Sequence, residues 1–540
     1  MIDASTGSIA LALGALDAGV HFVTGYPGSP STATFEALLR LSRGDPWPRA
    51  EWAINEKSAL DAAIGASLAG LRALVCLKNV GLNVALDSLM VANLATGPGA
   101  LVILAGDDPG GWGSQNEQDS RPLAAAAEVP LLEPLSAAGA RDVMVRAFAL
   151  SEAHRVPVVV RITHALAVEP AGLLAPAGQR LSPRPIAFSP QPDRYNVLPI
   201  HVVLMHRRLQ ATLVRVRDLF ERSDLNREDG TGRRGVLAAG HAWQKVTSIL
   251  TAAGSPPLRV LALGTLHPLP EDLLTRWLRG LDAVLVVEET APYVETQLQA
   301  LACRAGRPLP ILGRATGHLP GAGELSAPDV AAALGRLLPD WPWPTFEAPP
   351  RPMPSRQALC PDCPYVPALD TLLSVMARHG GRDRFVVTGE TGCMVRAQLP
   401  PWEILDAKYG MGGSIGLAAG LARAGIPQRI VALSGDSALL HSGFGELVDA
   451  VQAGVDLLVI LLENETTALS GCQPHPATAH DARGLSRPPI DLKALVRVAG
   501  AAAAVVNPRD TGAFAAALDR ALASPGVSVV IAREPCPRDR

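Results

Sequence analysis

Two short segments carry the sharpest chemical signal in the sequence: Leu433-Ser434-Gly435-Asp436-Ser437 and, about one strand–helix unit later, Leu462-Glu463-Asn464-Glu465-Thr466. Each stands at the carboxyl end of an apolar run. In an open parallel sheet that edge is where ligands bind, so a carboxylate and an amide oxygen from neighbouring strand ends can converge there. Such hard oxygens suit Mg²⁺, which keeps its remaining positions for water or phosphate oxygens. Taken alone, Gly435-Asp436-Ser437 reads equally as a strand-to-helix turn capped by Asp or Ser; the spacing to Asn464 favours the metal. Upstream, Gly410-Met411-Gly412-Gly413-Ser414 opens an Ala/Gly-rich helix. Small residues there would admit a diphosphate to the backbone, and a helix start offers unpaired N–H groups. Many glycine pairs before helices exist only for packing.

The elements that must hold these turns follow from periodicity. Short β-branched runs alternate with Ala/Leu-rich segments at helical spacing, the pattern of parallel sheets covered by helices. Strands are predicted over 20–24, 72–77, 101–105 and 157–162, then 236–239, 259–263 and 283–287, then 385–388, 429–433, 457–462 and 527–531. Helices are predicted over 32–41, 58–69, 83–94 and 413–424. Proline-rich stretches at 170–192 and 339–354, the second with seven prolines in sixteen residues, read as linkers. At 540 residues the chain exceeds one hydrophobic core. The expected fold class is therefore α/β, with three doubly wound parallel-sheet domains over 1–185, 195–340 and 355–540.

Composition narrows the function. A net charge of −3 without a Lys/Arg block gives no footprint for nucleic acid or an anionic membrane. No signal-like N-terminus or spanning apolar stretch stands out, so the expected location is the cytoplasm. The seven cysteines form one Cys-x-x-Cys, Cys360 and Cys363, and five singles, which read as free thiols. A small-molecule substrate fits these facts.

The Asp436/Asn464 pair resembles the diphosphate-binding motif of thiamine-diphosphate enzymes. More broadly, the chain is similar nearly end to end to the large subunit of indolepyruvate:ferredoxin oxidoreductase, in the 2-oxoacid:ferredoxin oxidoreductase family. The matching strings include Gly25-Tyr26-Pro27-Gly28-Ser29-Pro30-Ser31-Thr32, Asn55-Glu56-Lys57, Val80-Gly81-Leu82-Asn83-Val84, Leu225-Asn226-Arg227, Cys360-Pro361-Asp362-Cys363-Pro364, Thr391-Gly392-Cys393, His441-Ser442-Gly443 and Gln473-Pro474-His475-Pro476. The resemblance implies thiamine diphosphate and Mg²⁺ as cofactors, a pyrimidine-binding first domain and a diphosphate-binding last one. By it, the Asp436 and Asn464 side chains and the Thr466 carbonyl ligate the metal. Gly392, Cys393, Gly412, Gly413, Ser414, Gly435 and Ser437 then surround the cofactor, and the Cys360/Cys363 turn lines the pocket.

Thiamine chemistry also needs a buried acid facing the aminopyrimidine. The resemblance makes that acid Glu56; without it, a helix-start carboxylate would be the simpler reading. Gly28, Ser29, Pro30 and Ser31, between a strand end and a helix start, are candidates to hold a substrate carboxylate, with helix capping by Ser31 or Thr32 as the ordinary alternative. His441 and His475 are candidates for substrate contact or proton transfer, although lone histidines are more often structural.

The chain also departs from that family. It lacks the ferredoxin-like Cys runs of the family's large subunits, so no iron–sulfur cluster is expected on it. Tyr365 stands where the family commonly has His, and Ala33 where an acidic residue often follows Pro-Ser-Thr. Three readings remain open. The first is oxidative decarboxylation of an aryl or branched 2-oxo acid, with CoA and with electrons passed to a smaller subunit or ferredoxin. The others are a non-oxidative decarboxylase or carboligase, and a non-catalytic scaffold, which the retained Glu56, Asp436 and Asn464 disfavour. A homodimer is expected.

Overall fold

A computed structural model describes residues 5–178, 186–347 and 358–539. The domain limits at 185 and 355, and parts of both proline-rich stretches, lie outside the described residues. Two compact units result, Met1–Arg351 and Pro352–Arg540.

The strands of the first unit are β1 (Phe22–Gly25), β2 (Arg49–Trp52), β3 (Ala73–Lys78), β4 (Leu101–Asp107), β5 (Leu131–Leu132), β6 (Val158–Thr163), β7 (Asn226–Asp229), β8 (Arg234–Ala239), β9 (Leu258–Leu263), β10 (Thr265–His267), β11 (Ala283–Val287) and β12 (Ile311–Leu312). They form a seven-stranded sheet, β10-β5-β6-β4-β3-β1-β2, and a five-stranded one, β12-β11-β8-β9-β7. All pairings are parallel except β10 with β5 and β7 with β9. The second unit holds β13 (Phe385–Gly389), β14 (Ala407–Lys408), β15 (Arg429–Gly435), β16 (Leu457–Glu463), β17 (Ala502–Val506) and β18 (Val527–Arg533), in the all-parallel order β14-β13-β15-β16-β18-β17. The α/β class with three sheets is thus as expected.

The strand runs place correctly because they are mostly apolar. Every residue of β4 and of β16 is buried, as a strand covered by helices on both faces requires. Short edge strands such as β2, β7 and β14 have mixed exposure and give no such signal. In the first unit a single core runs from the seven-stranded to the five-stranded sheet, joining Val75 and Leu77 to Leu237, Leu261, Trp277 and Val286. β10 comes from the middle third of the chain yet completes the first sheet, so those two thirds share one unit. Buried ion pairs fix this arrangement. Arg161 bonds Asp107 (2.6 Å) and Glu133 (2.7 Å), and Arg121 bonds Asp119 and Glu288 (2.6 Å each). Buried charges persist only when paired in this way.

In the second unit the core gathers Leu369, Leu372, Phe385, Val387, Leu433, Ile460 and Phe514 around the centre of the sheet. Burying one such Leu or Phe side chain contributes about 1.5–3 kcal/mol. The polar turns at the carboxyl ends of β13, β15 and β16 are thereby held on a rigid base.

Candidate active site

Asp436 follows the last residue of β15 and is 2% exposed. Its carboxylate is clasped by backbone donors on both sides: Asn464 N–H (2.9 Å) and Glu465 N–H (2.8 Å) donate to Oδ2, and Ser437 N–H (2.8 Å) to Oδ1. Glu465 itself adopts the left-handed conformation, φ 66°, which is uncommon for a residue with a side chain. Asn464 Oδ1 accepts from Thr466 N–H (3.2 Å), and the Thr466 carbonyl accepts from Ala468 N–H (3.0 Å) while keeping a second lone pair. The structure therefore brings Asp436, Asn464 and Thr466 together. One carboxylate, one amide oxygen and one carbonyl form a hard donor set that fits Mg²⁺ with phosphate oxygens completing it.

His475 joins the same cluster. Its Nε2 lies 3.3 Å from Asp436 Oδ2 without forming a hydrogen bond, and its Nδ1 accepts from Ala477 N–H (3.2 Å). Arg487 bonds the His475 carbonyl (2.6 Å) and fixes the loop. His441 lies on the other flank, its Nδ1 3.1 Å from Ser442 Oγ, which in turn donates to the Met411 carbonyl (3.1 Å). Both histidines are buried.

The glycine turn lies beside this pair. Gly412 has φ 76°, and a Cβ there would stand 2.0 Å from Ser442 Oγ, so only glycine lets the turn close on the His441 segment. The helix Ser414–Arg423 begins immediately after it, and Ser414 Oγ is buried without a partner. An orphaned hydroxyl and a helix N-terminus at a glycine turn fit a diphosphate.

The sequence reading did not single out Glu390, directly after β13. It is fully buried, and its Oε1 accepts from Ser434 Oγ (2.6 Å) and Gly435 N–H (3.0 Å), while Oε2 has no partner. Burial pushes its carboxyl up to about 7 against these stabilising bonds. It ties the end of β13 to the end of β15. The only sequence signal was a carboxylate at a strand end, in Gly389-Glu390-Thr391-Gly392. Gly392 and Cys393 continue this loop, and the Met394 methyl packs 3.3 Å from where a Gly435 Cβ would stand.

Burial raises the thiols of Cys363, to about 11, and Cys393, to about 12. Cys360, Cys363, Cys393 and Cys536 are close enough to act on one another's charge, a convergence that the scattered spacing hid. Among the described residues, no group of three or more His, Cys, Asp or Glu is placed to hold a metal ion.

In the first unit, Glu56 opens the helix Glu56–Leu68, whose cap Asn55 accepts from Ser58 N–H (2.8 Å). Glu56 is 6% exposed, and its carboxyl lies over Gly81: a Cβ at Gly81 would come within 2.5 Å of Oε1. The loop after β1 shows that Ser31 is used locally. Its hydroxyl donates to the Gly28 carbonyl (2.9 Å), while Thr32 Oγ1 accepts from Gly28 N–H (2.6 Å). Ser29 is exposed, Pro30 is buried, and a Cβ at Gly28 would meet Lys78 Cβ at 2.8 Å.

Comparison with known proteins covers the segments that hold these residues. Residues 13–178 match the family described as pyruvate flavodoxin/ferredoxin oxidoreductase, thiamine diphosphate-binding, and residues 390–532 match the C-terminal TPP-binding domain of thiamine pyrophosphate enzymes. Fold and matches together define a thiamine-diphosphate-dependent 2-oxoacid oxidoreductase. Indolepyruvate oxidoreductase subunit IorA of Methanothermobacter marburgensis is 34% identical over 98% of this chain and 86% of its own length. That of Pyrococcus abyssi is 33% identical over 98% and 85%. The chain belongs to this family of indolepyruvate oxidoreductase IorA subunits. Among solved structures, 2-oxoglutarate:ferredoxin oxidoreductase from Magnetococcus marinus aligns over 57% of this chain and 61% of its own, at 19% identity and a TM-score of 0.45. No helix among the described residues is long and apolar enough to cross a membrane.

Proposed function

We propose that this subunit catalyses oxidative decarboxylation of an aryl 2-oxo acid of the indolepyruvate kind, with Mg²⁺ and thiamine diphosphate, forming an acyl-CoA and passing two electrons to a smaller partner subunit or ferredoxin. The observation that carries the reading is the clasped Asp436 beside Asn464 and the glycine turn, a metal–diphosphate cradle set at the carboxyl edge of a parallel sheet. The indolepyruvate activity named for relatives at 33–34% identity supports the substrate class.

In this reading Asp436, Asn464 and the Thr466 carbonyl hold Mg²⁺. Gly412, Gly413, Ser414, Gly435 and Ser437 receive the diphosphate. The cofactor, when bound, supplies the carbon nucleophile and the electron sink that decarboxylation needs. Glu56 exchanges a proton with the aminopyrimidine ring. His441 and His475 contact substrate or move its protons, and Gly28 to Ser31 offer backbone and hydroxyl donors to its carboxylate. Glu56 and the Asp436 cradle serve opposite ends of one cofactor, which we assign to two chains of a homodimer; the chain works in the cytoplasm.

The test is to purify the chain with thiamine diphosphate and Mg²⁺, with and without its partner subunit, and assay a panel of 2-oxo acids with CoA and an artificial electron acceptor. Acyl-CoA formation that depends on the acceptor and is fastest with aryl substrates is expected. Aldehyde release that needs no acceptor would assign the chain to non-oxidative chemistry.

A further inference from the structure

On the first unit, far along the chain from Glu56, a cavity of about 460 Å³ is lined by His154, Arg155, Arg194, Arg208, Thr212 and Arg215. Four arginines from three separate segments thus line one space, from the end of the helix Ala137–His154, the short helix Pro192–Tyr195 and the long helix Pro199–Phe220, with Arg215 donating to Thr212 Oγ1 (2.8 Å). None of the residues lining it is acidic. Among the described residues, no carboxylate forms an ion pair with Arg155, Arg194, Arg208 or Arg215. Arg155, Arg208 and Arg215 are exposed and Arg194 is half-buried, whereas the fully buried Arg121 and Arg161 of this unit are each paired with two carboxylates.

Like charges brought together repel, weakly where solvent screens them, and an anion sharing the space relieves that repulsion. The effect is visible at both less exposed members. Burial first, and the Arg215 charge second, lower His154 from its ordinary value; burial first, then Arg155, lower Arg194. Two polar atoms at the cavity are also orphaned. Arg194 Nε is a buried donor without an acceptor, and Asn93 Oδ1 is a buried acceptor without a donor, the Asn93 amide nitrogen being used on the Ala127 carbonyl (2.6 Å). Buried polar atoms without partners are rare and call for a ligand or an explanation. The remaining wall is apolar, with Leu94, Val156 and Leu209 packed against one another.

We propose that this cavity is a binding site for a nucleotide-type phosphate ester: a polyphosphate gripped by Arg155, Arg194, Arg208 and Arg215, with a ring bearing an N–H donor laid on Leu94 and Val156 toward Asn93 Oδ1. Guanidinium groups match phosphate oxygens in pairs of hydrogen bonds, which is why arginine rather than lysine suits such a grip. The size agrees, since pockets for ligands of this class fall in the range of about 300–1,000 Å³. This site lies outside the cofactor cradle, and the proposal stands independently of the reading of the reaction.

The probe is ADP, titrated calorimetrically into the full-length chain already saturated with thiamine diphosphate and Mg²⁺, so that the cradle cannot take up its diphosphate. ADP is expected to bind, and Arg208→Glu and Arg194→Ala are each expected to weaken it at least about tenfold. Arg207→Glu, on the same helix but outside the cavity lining, is expected to change it by no more than about twofold. Inorganic pyrophosphate, which lacks the ring, should bind more weakly than ADP. Thermal melting confirms that the variants remain folded, and Arg208 and Arg207, both exposed helix residues, keep that control simple. Absence of ADP binding, or equal weakening by Arg207→Glu and Arg208→Glu, would overturn the site. Equal affinity for pyrophosphate and ADP would overturn the assignment of the apolar wall to a ring.

Discussion

The two carboxylates on which the proposed chemistry depends are held in different ways. Asp436 is gripped by three backbone N–H donors from two strand ends, so its position is set by hydrogen bonds that the sheet itself aims. Glu56 starts a helix, and its carboxyl occupies space that exists because residue 81 has no side chain. A group that must hold a metal and diphosphate charge benefits from a rigid array of dipoles, whereas a group that must exchange a proton needs a confined place. The contrast predicts that one site fails through binding and the other through turnover.

The largest effect is expected at Glu56. Glu56→Gln should lower turnover on the order of 10³-fold while leaving cofactor affinity unchanged, because only the proton-transfer group is lost. Hydrogen–deuterium exchange at the thiazolium carbon of the bound cofactor reads the step directly. Exchange as fast as in the parent protein would place the activating acid elsewhere.

Asp436→Ala should act on the other side of the comparison. Cofactor affinity in the presence of Mg²⁺ is expected to fall on the order of 100-fold, about 3 kcal/mol, as measured by calorimetry. The variant also orphans the N–H groups of Asn464 and Glu465, a cost of about 1–3 kcal/mol each where they stay buried, so Asp436→Asn is the companion that keeps acceptor geometry. Unchanged affinity in both would show the metal to be held by other residues.

Gly81→Ala tests confinement without touching a titratable group. A methyl 2.5 Å from Glu56 Oε1 must displace the carboxyl, and turnover is expected to drop on the order of 10-fold with cofactor affinity changed by no more than about twofold. An unaffected rate would mean that the position of Glu56 is not set by this contact.

The smallest effect concerns Glu390, which braces the cradle from below. Its carboxyl is raised from the ordinary 4.5 to about 7, so the fold favours the protonated form. The stability it contributes is fully present below about pH 4.5 and is lost as pH rises through about 7, by up to about 3 kcal/mol. Glu390→Gln, permanently neutral, should melt less steeply than the parent with rising pH across that window. Parallel curves would show that Glu390 does not titrate there.

Much of this arrangement was legible in the sequence. The central strands appear as mostly apolar runs because both faces are covered, and the helix predicted over 58–69 is found at Glu56–Leu68, two residues earlier at its start. Asp436 and Asn464 were recognisable because their separation equals one βα unit, and adjacent parallel strands convert that separation into contact. Short edge strands were missed, since two to four residues carry no readable period. So was β10, which joins a sheet built from another third of the chain.

What the sequence determined by itself is the local chemistry: which turns follow strands, which carboxylates and glycines stand at sheet edges, and which family those strings resemble. What only the tertiary structure decided is convergence. Glu390 meets Ser434 and Gly435 across 44 and 45 positions, Cys536 approaches Cys363 and Cys393 from far along the chain, and arginines of three segments line one cavity. Periodicity reports which face of an element is covered, because burial acts on each residue in place. Which distant segment does the covering depends on strand order and helix packing, which no local pattern encodes.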